Sequence, residues 1–477
     1  MPLPYEPIAR QAFAEVTVDK GLTRSLRLEE RGIPTFVAEW LVDREQRRQP
    51  GADVAALDAG VRAFVADHLP RKEHKERLRN RLLNGEVLSV LDNFRATVDL
   101  RRERRLVEIP SLDEKGEVDP AVVDQFEGLL GGGLWGAGKL VYVQPTASEK
   151  GAVWLRAFNP LQAADVDPAY YRAQRARFSV EDWSALMVSS MGYNPAVYDT
   201  PRLRTLLLSR LLPLAQRRLN LIELAPKGTG KSFVFSNLSR HARVVSGGKV
   251  SAPVLFYNNA TNEPGLLTRY ATLVFDEAQT ISFDNPGEVV GILKDYMESG
   301  RFTRGRQSAS ADCGVVFLGN IQMAGDRPLR PVYFEELPTF LQETAFITRI
   351  HGFVPGWEIP KIRSDSPAEG VALKADYFSE VLHGLRDDGA YDGYVERHAR
   401  LSGEGSGNMR NATAVKRLAA GYLKLFFPDL APSPSEFEAF CLRPAVELRQ
   451  RVCEQLSQLD PGEFSPTALH AEPASAA

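Results

Sequence analysis

The stretch from Leu219 to Leu238, LNLIELAPKGTGKSFVFSNL, has the composition of a phosphate cradle. A nucleoside triphosphate needs many donors around its β- and γ-phosphates, and a glycine-rich turn between a strand and a helix supplies them as backbone N–H groups. Here LNLIEL reads as the strand and Ala225 to Gly230 as the turn, with Pro226, Lys227, Gly228, Thr229 and Gly230 as its nucleotide-binding residues. Lys231 then neutralises the β- and γ-phosphates of ATP, and Ser232 ligates Mg2+. The full pattern, G-x-x-x-x-G-K-S/T, begins with glycine, and Ala225 stands in that place. A methyl group is tolerable where the turn begins if φ is negative, whereas Gly228 and Gly230 are the positions that cannot easily change.

ATLVFDEAQT closes a second apolar run with Asp276 and Glu277. Asp276 suits the Mg2+ shell, and Glu277 can orient and deprotonate an attacking water. Such a pair is on its own usually the start of a solvated loop; beside GTGKS it reads as the acidic half of an ATP site. CGVVFLGNIQ ends a third run in Asn320, whose amide can reach a γ-phosphate or the water, with a turn-capping asparagine as the alternative. Arg349, in ETAFITRIHGF, suits stabilisation of charge on a neighbouring subunit's nucleotide, against a surface ion pair. Arg410 opens a helical pattern as a candidate nucleotide contact, against a helix-end or solvent role. The seven histidines are scattered, and His351 reads as a packing or hydrogen-bonding group.

These residues need a scaffold, and the chain has length for about two to four domains. At 477 residues, 44% hydrophobic and 25% charged, it has the balance of a globular protein, with no signature of disorder or of a fibre. A net charge of −3 gives no global attraction to nucleic acid. Three scattered cysteines offer neither a disulfide framework nor a zinc pair and suit a reducing cytoplasm. Neither a signal peptide nor a membrane span is expected.

Residues 1–198 read as an N-terminal α+β domain, with helices in IPTFVAEWLV and VAALDAGVRAFVADHL, a strand pair in FRATVDLRRERRLVEIP, and a helix in FSVEDWSALMVSSM capped by Ser179. Residues 199–360 read as an α/β core with a mostly parallel sheet built from LNLIEL, VLFY, ATLVF and GVVFLG. Residues 361–460 read as a helical lid and C-terminal helices, and residues 461–477 as a disordered tail. Arg301, Arg304 and Arg306, in GRFTRGRQ, suit a hairpin with a basic tip for DNA, against a solvated turn paired with acids such as Glu298. The basic runs Arg71 to Arg81 and Arg101 to Arg105 read as solvated, self-paired faces.

The core followed by a helical unit resembles an AAA+ P-loop module. Eight phrases in order resemble the BrxL family of Lon-like ATPases from bacterial BREX bacteriophage-exclusion systems. They are GLLGGGLWGAGKLVYV, FSVEDWSALMVSSMGY, LIELAPKGTGKSFVFSNLS, VSGGKVSAPVLFYNNAT, VFDEAQTISF, ILKDYMESGRFTRGRQSASADCGVVFLGN, ETAFITRIHGFVPGWEIPK and AVKRLAAGYLKLFFP. The resemblance implies ATP chemistry at Lys231, Ser232, Asp276, Glu277, Asn320 and Arg349. It also implies an MCM-like homo-oligomer, a hexameric ring or stacked rings, sequence-tolerant DNA binding at the Arg304 and Arg306 hairpin, and other BREX proteins as partners. Two departures stand out. The family commonly has G-P-R/K-G-T-G-K-S where this chain has Ala225, and longer members continue into a Ser-Lys protease domain that is not expected after Leu459. An ATP-dependent protein unfoldase and an ATP-gated DNA clamp use the same nucleotide residues and remain open at this point.

Overall fold

The computed structural model describes residues 3–70, 72–100, 102–146, 150–161, 166–260 and 263–474. Arg71 and Arg101 of the two basic runs, and the last three residues of the tail, lie outside them. The chain forms two compact units. One comprises Val18–Val166 and Lys374–Tyr377; the other comprises Met1–Thr17, Asp167–Leu373 and Phe378–Ala477.

In the first unit the helices α1 (Thr35–Arg48), α2 (Val54–His68) and α3 (Lys75–Leu83) precede a five-stranded barrel. Its strands are β1 (Leu88–Asp99), β2 (Arg104–Ile109), β3 (Glu114–Val118), β4 (Leu134–Val143) and β5 (Ala152–Pro160). They close in the order β1-β2-β3-β5-β4, with β3 and β5 the one parallel pair, a small Greek-key barrel of the OB kind. Phe94, Phe126 and Phe158 meet edge-on at its centre, with ring centroids 5.7 and 5.5 Å apart. Gly138 on β4 makes room for them: a Cβ there would lie 2.5 Å from the Phe94 ring. On the outer face charges cancel along the strands, through Arg95–Glu108, Lys115–Glu108 and Arg104–Glu117. Lys75, Arg79 and Arg81 on α3 are likewise paired with Asp113, Glu114 and Glu86.

The second unit is built on a five-stranded sheet of β6 (Leu221–Ala225), β7 (Ala242–Ser246), β8 (Thr272–Asp276), β11 (Gly314–Asn320) and β12 (Gly352–Pro355). The order is β12-β6-β11-β8-β7 and every pair is parallel. A separate hairpin of β9 (Arg301–Arg304) and β10 (Gln307–Ser310) precedes β11. The three central strands are those legible as apolar runs, because a parallel strand covered on both faces must be apolar throughout. VLFY is not one of them. Ala252–Leu255 forms a single helical turn, and Tyr257–Asn258 pairs with Glu263–Pro264 in a short hairpin, while Leu255 and Phe256 are fully buried beside the sheet. The strand at that edge is ARVVS, whose half-exposed side chains give no buried run to detect.

The division into units also corrects the expected boundaries. Residues 167–198 and the first 17 residues pack with the sheet unit, not with the barrel. The helix α4 (Val180–Ser190), capped by Ser179 as expected, is buried along most of its length; its Trp183 Nε1 donates to the Leu425 carbonyl at 2.9 Å, and Tyr5 donates to Ser189 at 2.6 Å. Nor is the tail free of structure: His470–Pro473 pairs antiparallel with Ala399–Ser402, and Leu469 N–H donates to Gln450. Among the described residues no helix is long and apolar enough to cross a membrane.

Phe94→Ala empties the middle of the barrel and is expected to cost about 3–5 kcal/mol. Urea unfolding followed by near-UV circular dichroism should show an early transition in the barrel unit.

Candidate active site

Sheet order brings the sequence-predicted residues together. Because β11 lies between β6 and β8, the ends of the three strands are neighbours: Asn320 pairs in register with Ala225, and Phe317 with Phe275 just before Asp276. From β6 the chain turns through Pro226–Gly230, with Gly228 and Gly230 at φ +87° and +72°, and enters α5 (Lys231–Asn237). Both values belong to the left-handed region in which glycine carries no Cβ penalty. Lys231 Nζ donates to Asn320 Oδ1 at 2.9 Å, joining the helix start to the end of β11. Ser232 follows in the first turn of α5.

Three consecutive carbonyls of the turn are held from behind. Gly228 O accepts from Ile362 N–H at 2.8 Å, Thr229 O from Arg210 Nη1 at 3.1 Å, and Gly230 O from Tyr193 Oη at 2.9 Å. Among the described residues the N–H groups of Lys227 to Lys231 find no acceptor, which leaves a row of backbone donors of the kind an anion requires. Arg210 is itself gripped by Glu223 of β6 in a buried two-pronged pair, at 2.6 and 3.0 Å. Burial opposes the charge on Arg210, but Glu223 outweighs it and raises the guanidinium pKa. Burial lowers the pKa of Lys231, against the pull of Glu223 and Asp276.

Ala225 has a structural counterpart. Its methyl group is fully buried, and Gly356, just after β12, passes so close that a Cβ there would lie 2.5 Å from the Ala225 Cβ. The side chain added on one strand is matched by one missing beside the next.

Asp276 Oδ1 accepts the N–H of Glu277 at 2.9 Å, and Glu277 sits at φ +51°, a left-handed conformation that is uncommon outside glycine. Strained residues gather at functional sites, and here the turn directs the Glu277 carboxylate toward Gly247: a Cβ placed there would be 3.4 Å from Oε2. Gln279 Oε1 accepts the Asn320 N–H at 3.2 Å, tying the acidic turn to the end of β11.

Arg349 and Arg410 do not join this cluster within the chain. Both bind Glu298: Arg349 Nε lies 3.2 Å and Arg410 Nη2 3.1 Å from its Oε2. Arg410 also lines a cavity of about 410 Å³ with Thr344, Thr348, Asn408 and Arg449, and none of the turn residues contributes to it. In the β9–β10 hairpin, Gly305 takes φ +63° and begins the two-residue turn whose other residue is Arg306. Arg301 and Arg306 are exposed. Arg304 is largely covered, donating to the Tyr257 carbonyl at 2.7 Å and lying 3.4 Å from Glu288, so it braces the hairpin instead of standing at its tip. Phe302 roots the hairpin against Phe256 and Tyr296.

His351 is a packing and hydrogen-bonding group, as expected. Its Nδ1 accepts the Asn220 N–H at 2.9 Å, and its Nε2 faces Arg417. Burial, together with the charges of Arg417 and Arg449, holds its pKa well below the ordinary histidine value.

Sequence reasoning missed Arg210, Glu223, Tyr193, Gln279 and Gly356. A signal was present for two of them: a lone carboxylate inside LNLIEL and a lone arginine inside LLLSRLLPL are charges that a buried run carries only in partnership.

Fold and site together define an α/β protein with a parallel sheet whose central strand ends converge on a glycine-rich turn, a lysine and an acidic pair. The description "Lon-like protease BrxL-like, ATPase domain" matches residues 153–470, and "BREX system Lon protease-like protein BrxL N-terminal" matches residues 11–142. The chain belongs to the BrxL family. It is 30% identical to the Lon-like protease BrxL of Escherichia coli O9:H4 (strain HS) over 462 residues, which cover 96% of this chain and 65% of that protein. It is 31% identical to the Lon-like protease BrxL of Bacillus cereus (strain H3081.97) over 464 residues, or 95% and 66%. The chain thus spans slightly under two thirds of the length of these curated relatives.

Two outcomes follow. Arg210→Met leaves Glu223 buried and unpaired and should cost about 3–5 kcal/mol, while Arg210→Met/Glu223→Leu should recover much of it; denaturant midpoints of the three proteins test this. For His351 the folded pKa lies below the unfolded one, so the unfolded chain binds the extra proton as pH falls below about 6.5. Stability should drop there by up to about 1.4 kcal/mol per pH unit for this one group, and His351→Gln should flatten that part of the profile.

Proposed function

We propose that the chain is an ATP-hydrolysing AAA+ ring protein of BREX anti-phage defence that works on DNA in the cytoplasm. The observation that carries the reading is the juxtaposition of the three strand ends, with Lys231 bonded to Asn320 at 2.9 Å beside Asp276 and Glu277. The strand order, with the glycine-rich turn's strand between β12 and β11, supports assignment to the P-loop class, and the helices after residue 375 support a lid.

The residues present fit ATP with Mg2+: free N–H groups line the turn, a buried lysine follows it, and a hydroxyl and two carboxylates sit on adjoining elements. Pro226 to Gly230 shape the cradle, and the N–H groups together with Lys231 bind the phosphates. Ser232 and Asp276 would hold Mg2+, which when bound supplies charge neutralisation between the phosphates. Glu277 takes a proton from the attacking water, and Asn320 orients the water or the γ-phosphate. Arg349 acts on the nucleotide of a neighbouring copy, which accords with its distance in contacts from its own chain's turn, and Arg410 senses nucleotide from the first turn of its helix. Assembly is a homo-oligomeric ring, hexameric or as stacked rings. Arg301 and Arg306 touch DNA phosphates without reading bases, with Arg304 supporting the hairpin. Other BREX proteins are the partners. Of the two aromatic residues that a protein-threading loop could use, Phe256 is fully buried and Tyr257 is half-buried in a short strand, which weighs against that alternative.

ATPase rate with and without duplex DNA tests this reading. Duplex DNA should raise the rate, and Glu277→Gln should lower it by about 100-fold or more while nucleotide still binds. Hydrolysis indifferent to DNA would remove the DNA assignment, and full hydrolysis by Glu277→Gln would remove the site.

A further inference from the structure

The one carboxylate that gathers both Arg349 and Arg410 stands on a helix leading straight into the basic hairpin. That helix, α6 (Pro286–Ser299), ends at Gly300, φ +75°, and β9 begins at the next residue. Glu298 is its penultimate residue. Oε2 lies 3.2 Å from Arg349 Nε and 3.1 Å from Arg410 Nη2, while Oε1 accepts from Arg410 Nε at 3.3 Å. One turn earlier Lys294 pairs at 2.7 Å with Glu343, on the segment that leads to Arg349. The same helix grips the hairpin: Glu288 lies 3.4 Å from Arg304 Nε, and Tyr296 packs edge-on against Phe302 with ring centroids 6.0 Å apart. A displacement of the hairpin is therefore felt by α6, and a displacement of α6 by both arginines.

The charges indicate what such a displacement does. Two guanidinium groups share a single carboxylate and retain a net positive charge. Glu298 and Arg410 are each 43% exposed, so the pair is open to exchange with another anion. A carboxylate and a phosphate present arginine with the same two-oxygen acceptor. A phosphate brought close can take an arginine over from Glu298 with little loss of hydrogen bonding.

We propose that Glu298 is a positioning residue: it holds Arg349 and Arg410 in place for transfer to nucleotide phosphate, and through α6 makes that transfer depend on the β9–β10 hairpin. The proposal rests on the ATPase reading above and deepens it, by naming the link between the DNA-contacting element and the arginines. Glu298→Gln keeps the size and a hydrogen-bond acceptor and removes the charge that gathers the two guanidinium groups. Glu298→Asp keeps the charge on a shorter arm.

The test uses the whole 477-residue chain. Turnover is measured with and without duplex DNA for the unsubstituted protein, Glu298→Gln, Glu298→Asp and Arg349→Ala, and affinity by titration with a fluorescent ATP analogue. In Glu298→Gln the ratio of DNA-stimulated to unstimulated kcat should fall to about one, with affinity within about two-fold, and Glu298→Asp should restore part of the ratio. A Glu298→Gln protein with its full ratio overturns the proposal, as does one that loses affinity in step with the ratio, which marks a merely structural residue. Failure of the parent reading looks different: Arg349→Ala then turns over at the unsubstituted rate, or the unsubstituted protein itself shows a ratio of one.

Discussion

The buried pair of Arg210 and Glu223 is the constraint on which the site depends. Charges enter an apolar interior only with a partner and a full set of hydrogen bonds, because their desolvation otherwise costs several kcal/mol each. Glu223 sits at the centre of the strand that ends in the phosphate-type turn, so its partner must come close beneath that turn. Arg210 satisfies Glu223 with two of its nitrogens and has a third left for the Thr229 carbonyl. The need to satisfy a buried charge thus fixes a loop conformation. Tyr193 and the Ile362 N–H extend the same arrangement to the carbonyls on either side, and a row of unpaired N–H groups is the consequence.

The rigidity of that arrangement contrasts with the arginines on Glu298. The Arg210 pair is almost fully buried, holding one geometry against water. The Glu298 cluster is partly open, and its ion pairs are of the kind that solvent or another anion can replace. One ion pair builds a fixed floor, and the other keeps its arginines available. Burial separates the two uses of the same chemistry.

Ala225 illustrates how a departure from a motif is absorbed. A turn that lacks its leading glycine keeps its shape because the next strand offers Gly356, so the additional methyl group fills space in place of creating a clash. The glycines that could not be exchanged are Gly228 and Gly230, where φ itself is positive.

Much of the chain was legible in sequence, for physical reasons that are local. Three central strands announced themselves as apolar runs, Ser179 as a cap, and Lys231, Ser232, Asp276, Glu277 and Asn320 by type and spacing. The edge strands ARVVS and GFVP were not legible, since an edge strand is half-exposed or too short to carry a pattern. VLFY misled because burial beside a sheet requires the same apolar residues as burial within one. Nor could composition reveal that residues 167–198 pack with the sheet, that the barrel closes through β3 and β5, or that Arg304 faces inward. What the sequence by itself determined was the inventory of chemical groups and the elements that bear them, because propensity, periodicity and turn chemistry act over a few residues. The order of the strands, the pairing of Arg210 with Glu223, and the gathering of Arg349 and Arg410 on Glu298 were decided only by the tertiary structure, because each joins residues more than ten positions apart through the satisfaction of buried or shared charge.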